Sequence, residues 1–453
     1  MRIIVIGCGK IGHDLIGALV NEGHEIIVID KNLSVIEEIV SIYDVMGIQG
    51  HGANYEIQIE AGVAKSDLTI AVTSSDELNI VCCMMAKKIG THHTIARIRD
   101  IEYFNYLTFM KEQLGLSLVL NPEAETAKEI SRILRYPTAT KVETFAKGRI
   151  DLVEIKLGTD NPLIGIALSE LYHNYKTKIL ICTVKRNKDI YIPDGNFILK
   201  EHDSIYITAS REQLQLFFSA IHLQRKKTKN VMIIGGGITT YYLSRELKTN
   251  HIQIKIIENN LETCQLLSDL LPFTTIIYGD GTNHELLEEE GIANMDACVT
   301  ITGVDEINVM SSLYATSKQI PKVITKISRH HLEPLLDSIG VDCAVSSNQV
   351  SVNHIIQYVR AKENSRKRGN HISTLYLLVK DKVEAIEFSI NKSTNYLNIP
   401  LKNLKLKTNL LIAGIVRNNK LIIPDGESFM KLNDKVIVVT TNKYLKDLED
   451  ILG

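Results

Sequence analysis

The residues best suited to chemistry in this chain stand at its start. Gly7-Cys8-Gly9-Lys10-Ile11-Gly12 follows the apolar run Arg2–Ile6, and Asp30 stands 18 positions after Gly12 (30 − 12). A strand, a GxGxxG turn, an amphipathic helix, a second strand over Glu25–Ile29 and an acid at its tip form a dinucleotide-binding fingerprint. Gly7 permits a tight turn, Gly9 lets the backbone approach a pyrophosphate, and Gly12 allows close packing of helix on strand. The open N–H groups at the start of that helix offer a positive pole to phosphate. Asp30 is placed to accept from the adenosine ribose hydroxyls and to repel a 2′-phosphate.

Two more positions fit such a ligand. Thr73 ends the fourth predicted strand, where a ribose or nicotinamide would lie at the switch point of a doubly wound sheet. Arg97, in Ala96-Arg97-Ile98-Arg99, ends the fifth and can reach inward to a pyrophosphate. Ser74 is placed to cap the following helix, with Glu77 completing a capping box. That cap accounts for Ser74 and Glu77 without any ligand, but not for Thr73. The histidine pairs His92-His93 and His330-His331 suggest a metal less well. Neighbours on a strand point to opposite faces, and no further His/Cys cluster stands at metal-site spacing.

The elements that must position these groups alternate. Strands are predicted over Leu68–Val72, His93–Ile98 and Leu116–Leu120, with helices over Leu78–Lys88 and Glu123–Arg135. Alternation of this kind predicts a parallel sheet covered by helices.

The chain also contains its own copy. Gly235-Gly236-Gly237-Ile238-Thr239 follows Asn230–Ile234; Gly235 stands 228 after Gly7 (235 − 7), and Glu258 stands 228 after Asp30 (258 − 30). Thr73-Ser74-Ser75-Asp76-Glu77-Leu78-Asn79 matches Thr302-Gly303-Val304-Asp305-Glu306-Ile307-Asn308, and Lys326 stands 229 after Arg97 (326 − 97). Ile192-Pro193-Asp194-Gly195 matches Ile423-Pro424-Asp425-Gly426, together with Arg186/Arg417 and Asp203/Asp434. Matches in one order at one drifting offset mean tandem duplication. The second site is altered. Thr240 stands where Gly12 does, which requires the helix to sit further from the strand or a compensating gap. Lys326 offers a point charge where Arg97 offers a bidentate fork.

The expected organisation is therefore α/β: two Rossmann-like doubly wound parallel-sheet domains at 1–137 and 229–362, each followed by a small α+β C-lobe, at 138–224 and 363–453. The C-lobes hold β-branched strands such as Ile179–Val184, Ile205–Thr208, Leu410–Val416 and Val436–Thr440, punctuated by the Pro-Asp-Gly turns. Basic joints at Arg225–Lys229 and Ser365–Gly369 read as solvated connections, or else as a surface for anionic lipid or an acidic partner loop.

Composition narrows the class. A net charge of −2 over 453 residues gives no reason to expect a nucleic-acid partner. No apolar segment reaches the roughly 18 residues needed to span a bilayer, and no signal sequence opens the chain. Seven scattered cysteines fit buried thiols in a reducing cytoplasm better than disulfides or a metal centre.

Thr73-x-x-Asp76-Glu77-x-Asn79, Ala96-Arg97-Ile98-Arg99 and a Pro-Asp-Gly β unit, all duplicated, resemble the regulator-of-potassium-conductance (RCK, or KTN) domain family. The doubled arrangement resembles the TrkA-like peripheral subunits of bacterial Trk potassium uptake systems. The resemblance implies lobes in the order N1–C1–N2–C2. It implies a homo-oligomer, a dimer or tetrameric ring, on the cytoplasmic face of the cell membrane under a TrkH-like integral membrane potassium transporter. It further implies NAD(H) and ATP/ADP as ligands that control potassium flux without catalysis. By motif match, Gly7, Cys8, Gly9, Lys10, Ile11, Gly12, Asp30, Thr73, Ser74 and Arg97 would contact the first ligand. Gly235, Gly236, Gly237, Ile238, Thr239, Glu258, Thr302 and Lys326 would contact the second. The acidic turn of that family after the third strand reads Gly50-His51-Gly52-Ala53 here, against Gly279-Asp280-Gly281 in the second copy. Both His51 and Thr240 bear on ligand preference.

An NAD-dependent oxidoreductase using the C-lobes as substrate domains is the alternative. It would need a proton donor beside the nicotinamide, and no acid–base constellation is evident in the C-lobes. A nucleotide-sensing transcriptional regulator would need a basic helix-turn-helix pattern, which is absent.

Overall fold

The computed structural model describes every residue except 146–149, 224–226, 250, 329–335, 337–338, 340, 342, 367–370, 380–381, 443–444 and 446. His330, His331 and parts of both basic joints lie outside the described residues. The chain divides into two compact units: Met1–Ile130 with Asn230–Ile356, and Ser131–Lys229 with Gln357–Gly453.

In the first unit, strands β1 (Arg2–Ile6), β2 (Glu25–Asp30), β3 (Met46–Gln49), β4 (Leu68–Ala71), β5 (His93–Arg97) and β6 (Leu118–Leu120) alternate with helices. These are α1 (Lys10–Asn21), α2 (Leu33–Ile42), α3 (Tyr55–Glu60), α4 (Asp76–Ile89), α5 (Ile101–Met110) and α6 (Pro122–Arg135), the last of which runs past the boundary at Ile130. The strands pair in parallel in the order β3-β2-β1-β4-β5-β6. Helices on both faces force each strand to be apolar on both sides, and Ile3, Ile4, Val5 and Ile6 are buried accordingly. Chain direction out from the centre reverses between β1 and β4, so the strand ends open a crevice there.

The same unit repeats this plan. Strands β12 (Asn230–Ile234), β13 (Gln253–Glu258), β14 (Thr275–Tyr278), β15 (Ala297–Thr300), β16 (Lys322–Ile327) and β17 (Ala344–Ser346) pair in the order β14-β13-β12-β15-β16-β17, again all parallel.

The two sheet domains contact one another through residues of both copies. Asp14 and Tyr242 are equivalent positions (242 − 14 = 228) on the first helix of each copy. Asn348 Nδ2 donates to Asp14 Oδ2 at 3.0 Å, and Asn121 Nδ2 donates to the Tyr242 hydroxyl at 3.2 Å. Phe104 meets the Tyr242 ring edge-on at 6.1 Å.

The second unit holds β7 (Lys141–Phe145), β8 (Ile150–Lys156), β9 (Leu180–Arg186), β10 (Asp189–Tyr191) and β11 (Ser204–Ser210) as one sheet, in the order β10-β9-β11-β8-β7. Its counterpart contains β18 (His371–Leu378), β19 (Val383–Ser389), β20 (Leu410–Arg417), β21 (Lys420–Ile422) and β22 (Lys435–Thr440), in the order β18-β19-β22-β20-β21. Phe145, Leu152, Cys182 and Tyr206 of one sheet share a core with Leu378, Ala385, Ala413 and Val439 of the other.

The aligned Arg and Asp residues of the C-lobes are an ion pair in each copy. Arg186 Nε and Nη2 both lie 2.8 Å from the buried Asp203 carboxylate, and the guanidinium stacks 5.0 Å from the Phe197 ring centre. Arg417 repeats this with Asp434 at 3.0 and 2.8 Å and with the Phe429 ring at 5.2 Å. Arg186 Nη2 also donates to the Ile198 carbonyl at 2.9 Å, so the pair pins the Pro-Asp-Gly loop onto the sheet.

All seven cysteines are buried. Among the described residues, no helix is long and apolar enough to cross a membrane.

Candidate nucleotide-binding site

Gly7 has φ +97°, and a Cβ there would stand 2.8 Å from the Thr73 backbone nitrogen. Gly235 has φ +107°, and its Cβ would stand 2.9 Å from the Thr302 nitrogen. In each copy the turn glycine is thus fixed by the end of the strand beyond the switch point. Gly9 and Gly237 face open space, with nothing within 4 Å of an added Cβ. That gap is where backbone can approach a pyrophosphate.

The helix following each turn is left open at its start. Asn32, Asn54, Ser75 and Asp100 cap α2 to α5 with their side chains, whereas α1 starts at Gly9 with no side-chain cap. The helix Ile238–Lys248 likewise starts at Gly237 with no side-chain cap. Amides left without a local acceptor at a helix N-terminus favour a phosphate. The cap of α4 is Ser75, whose Oγ accepts from Leu78 N at 3.1 Å; Ser74, the residue expected in that role, is exposed in the preceding bend. Register explains the difference: the helix starts at Asp76, one residue later than a Ser74 cap requires.

Asp30 and Glu258 stand at equivalent strand tips and are gripped by the turns they serve. Asp30 Oδ2 accepts from Cys8 N and Oδ1 from Asn32 N, at 2.8 and 2.9 Å. Glu258 accepts from Gly236 N and Asn260 N, at 2.5 and 2.7 Å. Both acids are held, oriented, beside the glycine turn. Burial, with Asp30 close by, pushes the Cys8 thiol up to about 12, so it stays neutral beneath the turn.

The Thr, Asp and Asn of the repeated motif prove to be one staple. Thr73 N and Oγ1 donate to Asn79 Oδ1 at 2.8 and 2.7 Å, and Asn79 Nδ2 donates to the Arg97 carbonyl at 2.9 Å. Thr302, Asn308 and Lys326 repeat it at 2.8, 2.8 and 3.0 Å. Asp76 accepts from Arg99 N and Asp100 N, each at 2.7 Å. Buried Asn79 and Asn308 therefore tie the ends of adjacent strands together and set the positions of Thr73, Arg97, Thr302 and Lys326. Recurrence at one offset was the signal for Asn79; its role emerges only from the pairing of β4 with β5.

Thr240 fits by bonding. A Cβ at Gly12 would fall 2.1 Å from the Gly7 carbonyl oxygen, whereas Thr240 donates its hydroxyl to the equivalent Gly235 oxygen. The second helix therefore stands further from its turn, with the hydroxyl filling the space.

The second site opens into a cavity of about 450 Å³. Gly235, Gly236, Gly237, Ile238 and Thr239 line it, as do Glu258, Thr302 and Lys326. Arg99 and Glu123 of the first copy line it too. Arg99 Nε donates to Glu123 Oε1 at 2.8 Å, while Glu123 Oε2 is buried without a hydrogen-bond partner among the described residues. Burial lowers the Lys326 ammonium below its ordinary range, partly offset by Glu123 and Asp305. Arg97 is similar: Nη1 donates to the Thr73 carbonyl at 3.3 Å, Nε is buried and unpartnered among the described residues, and burial depresses its pKa. Sequence reasoning missed Arg99 and Glu123, because only the packing of one copy on the other carries them into the second site.

These features define a tandem protein in which each Rossmann-like sheet domain is joined to an antiparallel lobe. Residues 3–122 and 231–347 match the TrkA-N domain, and residues 152–222 and 385–453 match the TrkA-C domain, so the chain belongs to the family built from these domains. It is 28% identical over 459 residues to the Trk system potassium uptake protein TrkA homolog 2 of Methanosarcina mazei, with both chains covered in full. It is 28% identical over 454 residues to the Trk system potassium uptake protein TrkA of Vibrio alginolyticus, covering 99% of this chain and 98% of that one. Among solved structures, the GsuK channel bound to NAD matches with TM-score 0.62 and 16% identity, over 98% of this chain and 77% of that one. GsuK bound to ADP matches with TM-score 0.50 and 14% identity, over 80% and 69%. At such identities the likeness shows the fold.

Proposed function

We propose that this protein is a nucleotide-sensing regulatory subunit of a potassium uptake system, binding NAD(H) and ATP/ADP and acting on a TrkH-like membrane transporter from its cytoplasmic face. The names of its full-length relatives support the potassium system, and the titles of the GsuK structures support NAD and ADP as the ligand class. In this reading Gly7 to Gly12, Asp30, Thr73, Ser74 and Arg97 hold the first nucleotide. Gly235 to Thr239, Glu258, Thr302 and Lys326 hold the second. The lobes 1–137, 138–224, 229–362 and 363–453 are the units of the duplication.

One observation carries the proposal: the second cavity is built on the turn of one copy and finished by Arg99 and Glu123 of the other. A ligand whose phosphate end meets Arg99 and Lys326 senses how the two copies are placed. A ligand shifts a conformational equilibrium only by its differential affinity for the two states, and a site made from both copies supplies that difference. Nucleotides with different phosphate ends then favour different arrangements, and the oligomer transmits the choice to the transporter.

Calorimetric titration with ADP, ATP and NADH tests this. Two nucleotides per chain are expected, with Arg99→Ala weakening one class of site and leaving the other unchanged. Absence of binding, or equal weakening of both classes, overturns it.

A further inference from the structure

The two sites differ at the second residue after the third strand of each sheet. Gly50 N donates to the Asp30 carbonyl and Gly279 N to the Glu258 carbonyl, each at 2.9 Å, so His51 and Asp280 follow in equivalent places beside the ribose acids. Asp280 lines the second cavity together with Glu258, Asn259 and Thr263; it follows β14, on the opposite side of the sheet order from β16, which carries Lys326. With pyrophosphate on the glycine turn and ribose on the acid of the second strand, the base lies beyond that acid, against the end of the third strand.

Each side chain first closes its own turn. Asp280 Oδ1 accepts from Thr282 N and Oγ1, both at 2.8 Å, which leaves Oδ2 for a ligand. His51 Nδ1 accepts from Ala53 N at 3.3 Å, so the neutral ring carries its proton on Nε2. The atom left over is an acceptor in one site and a donor in the other. A carboxylate oxygen accepts from the 6-amino group of adenine and repels the carbonyl of a 6-oxo purine. An imidazole N–H in the equivalent place donates to a 6-oxo oxygen and finds no acceptor on the 6-amino group of adenine.

We propose that Asp280 makes the second site selective for 6-amino purines, while His51 tilts the first site towards 6-oxo purine nucleotides. This rests on the nucleotide-receptor reading and adds base recognition to it. The test compares ADP with IDP, which differ only at that edge of the base. Titrating the full-length chain should fill two sites with ADP and one with IDP. Glu258→Ala, which isolates the first site, should bind IDP at least as tightly as ADP. Asp30→Ala, which isolates the second, should prefer ADP by about tenfold or more, the penalty for an unmatched polar contact. His51→Asp in the first background should install the preference, and Asp280→His in the second should erase it. Binding of ADP with identical rejection of IDP at both sites, or swaps that leave the ratio unchanged, overturns the base-selection proposal alone. Failure of both nucleotides to bind overturns the receptor reading with it.

Discussion

The Thr240 hydroxyl donates to the Gly235 carbonyl oxygen, the partner of the Gly7 oxygen that sits 2.1 Å from where a Cβ on Gly12 would be. One copy solves the helix–turn contact by closeness and the other by a hydrogen bond, so equivalent substitutions should behave differently. Gly12→Thr should destabilise the first sheet domain by about 1–3 kcal/mol through overpacking. Thr240→Ala should cost only about 1 kcal/mol, one lost hydrogen bond. Urea denaturation of the two variants compares them.

Arg186→Ala should be far more costly than its place near a surface loop suggests. Asp203 is fully buried, and removal of its bidentate partner leaves an uncompensated charge, a loss of about 3–5 kcal/mol. Asp203→Asn combined with Arg186→Ala should lose clearly less than the two single losses added together. Full additivity in chemical denaturation would show that the pair does not act as a unit.

Cys8 should resist alkylation in the folded protein at pH 8. Its folded pKa, about 12, lies above that of a thiol in the unfolded chain. The stability linked to this shift is therefore complete below the unfolded pKa and is lost progressively as pH rises from there through the folded value. Mass spectrometry after iodoacetamide treatment should find Cys8 unmodified without urea and modified with it.

Arg97→Ala should weaken the first nucleotide site by about tenfold, as expected for loss of a charge-assisted contact. Thermal-shift titration reads this directly, and unchanged affinity removes Arg97 from the ligand contacts. NADH incubated with the protein and a panel of small carbonyl compounds should show no steady loss of absorbance; turnover would favour the oxidoreductase reading.

The opening strand, the turn to Gly12 and the duplication are all legible in the sequence, because buried parallel strands and glycine turns leave local patterns. The cap on α4 was displaced from Ser74 to Ser75, a one-residue boundary that propensity does not resolve. The bond from Thr240 to Gly235 depends on how far a helix stands from its turn, and the presence of Arg99 and Glu123 in the second cavity depends on how one copy packs on the other. Neither leaves a periodic trace. The linear order alternates sheet domain and C-lobe, yet the compact units gather like with like, an outcome of long-range packing alone.

Potassium flux into vesicles carrying a TrkH-like transporter, with the purified chain added to the outward-facing cytoplasmic surface, tests the central claim most directly. Flux should differ between ATP, ADP and NADH, and the differences should vanish when Asp30 and Glu258 are both replaced by alanine. Flux that is the same with and without nucleotide, in the presence of the bound chain, would contradict the account.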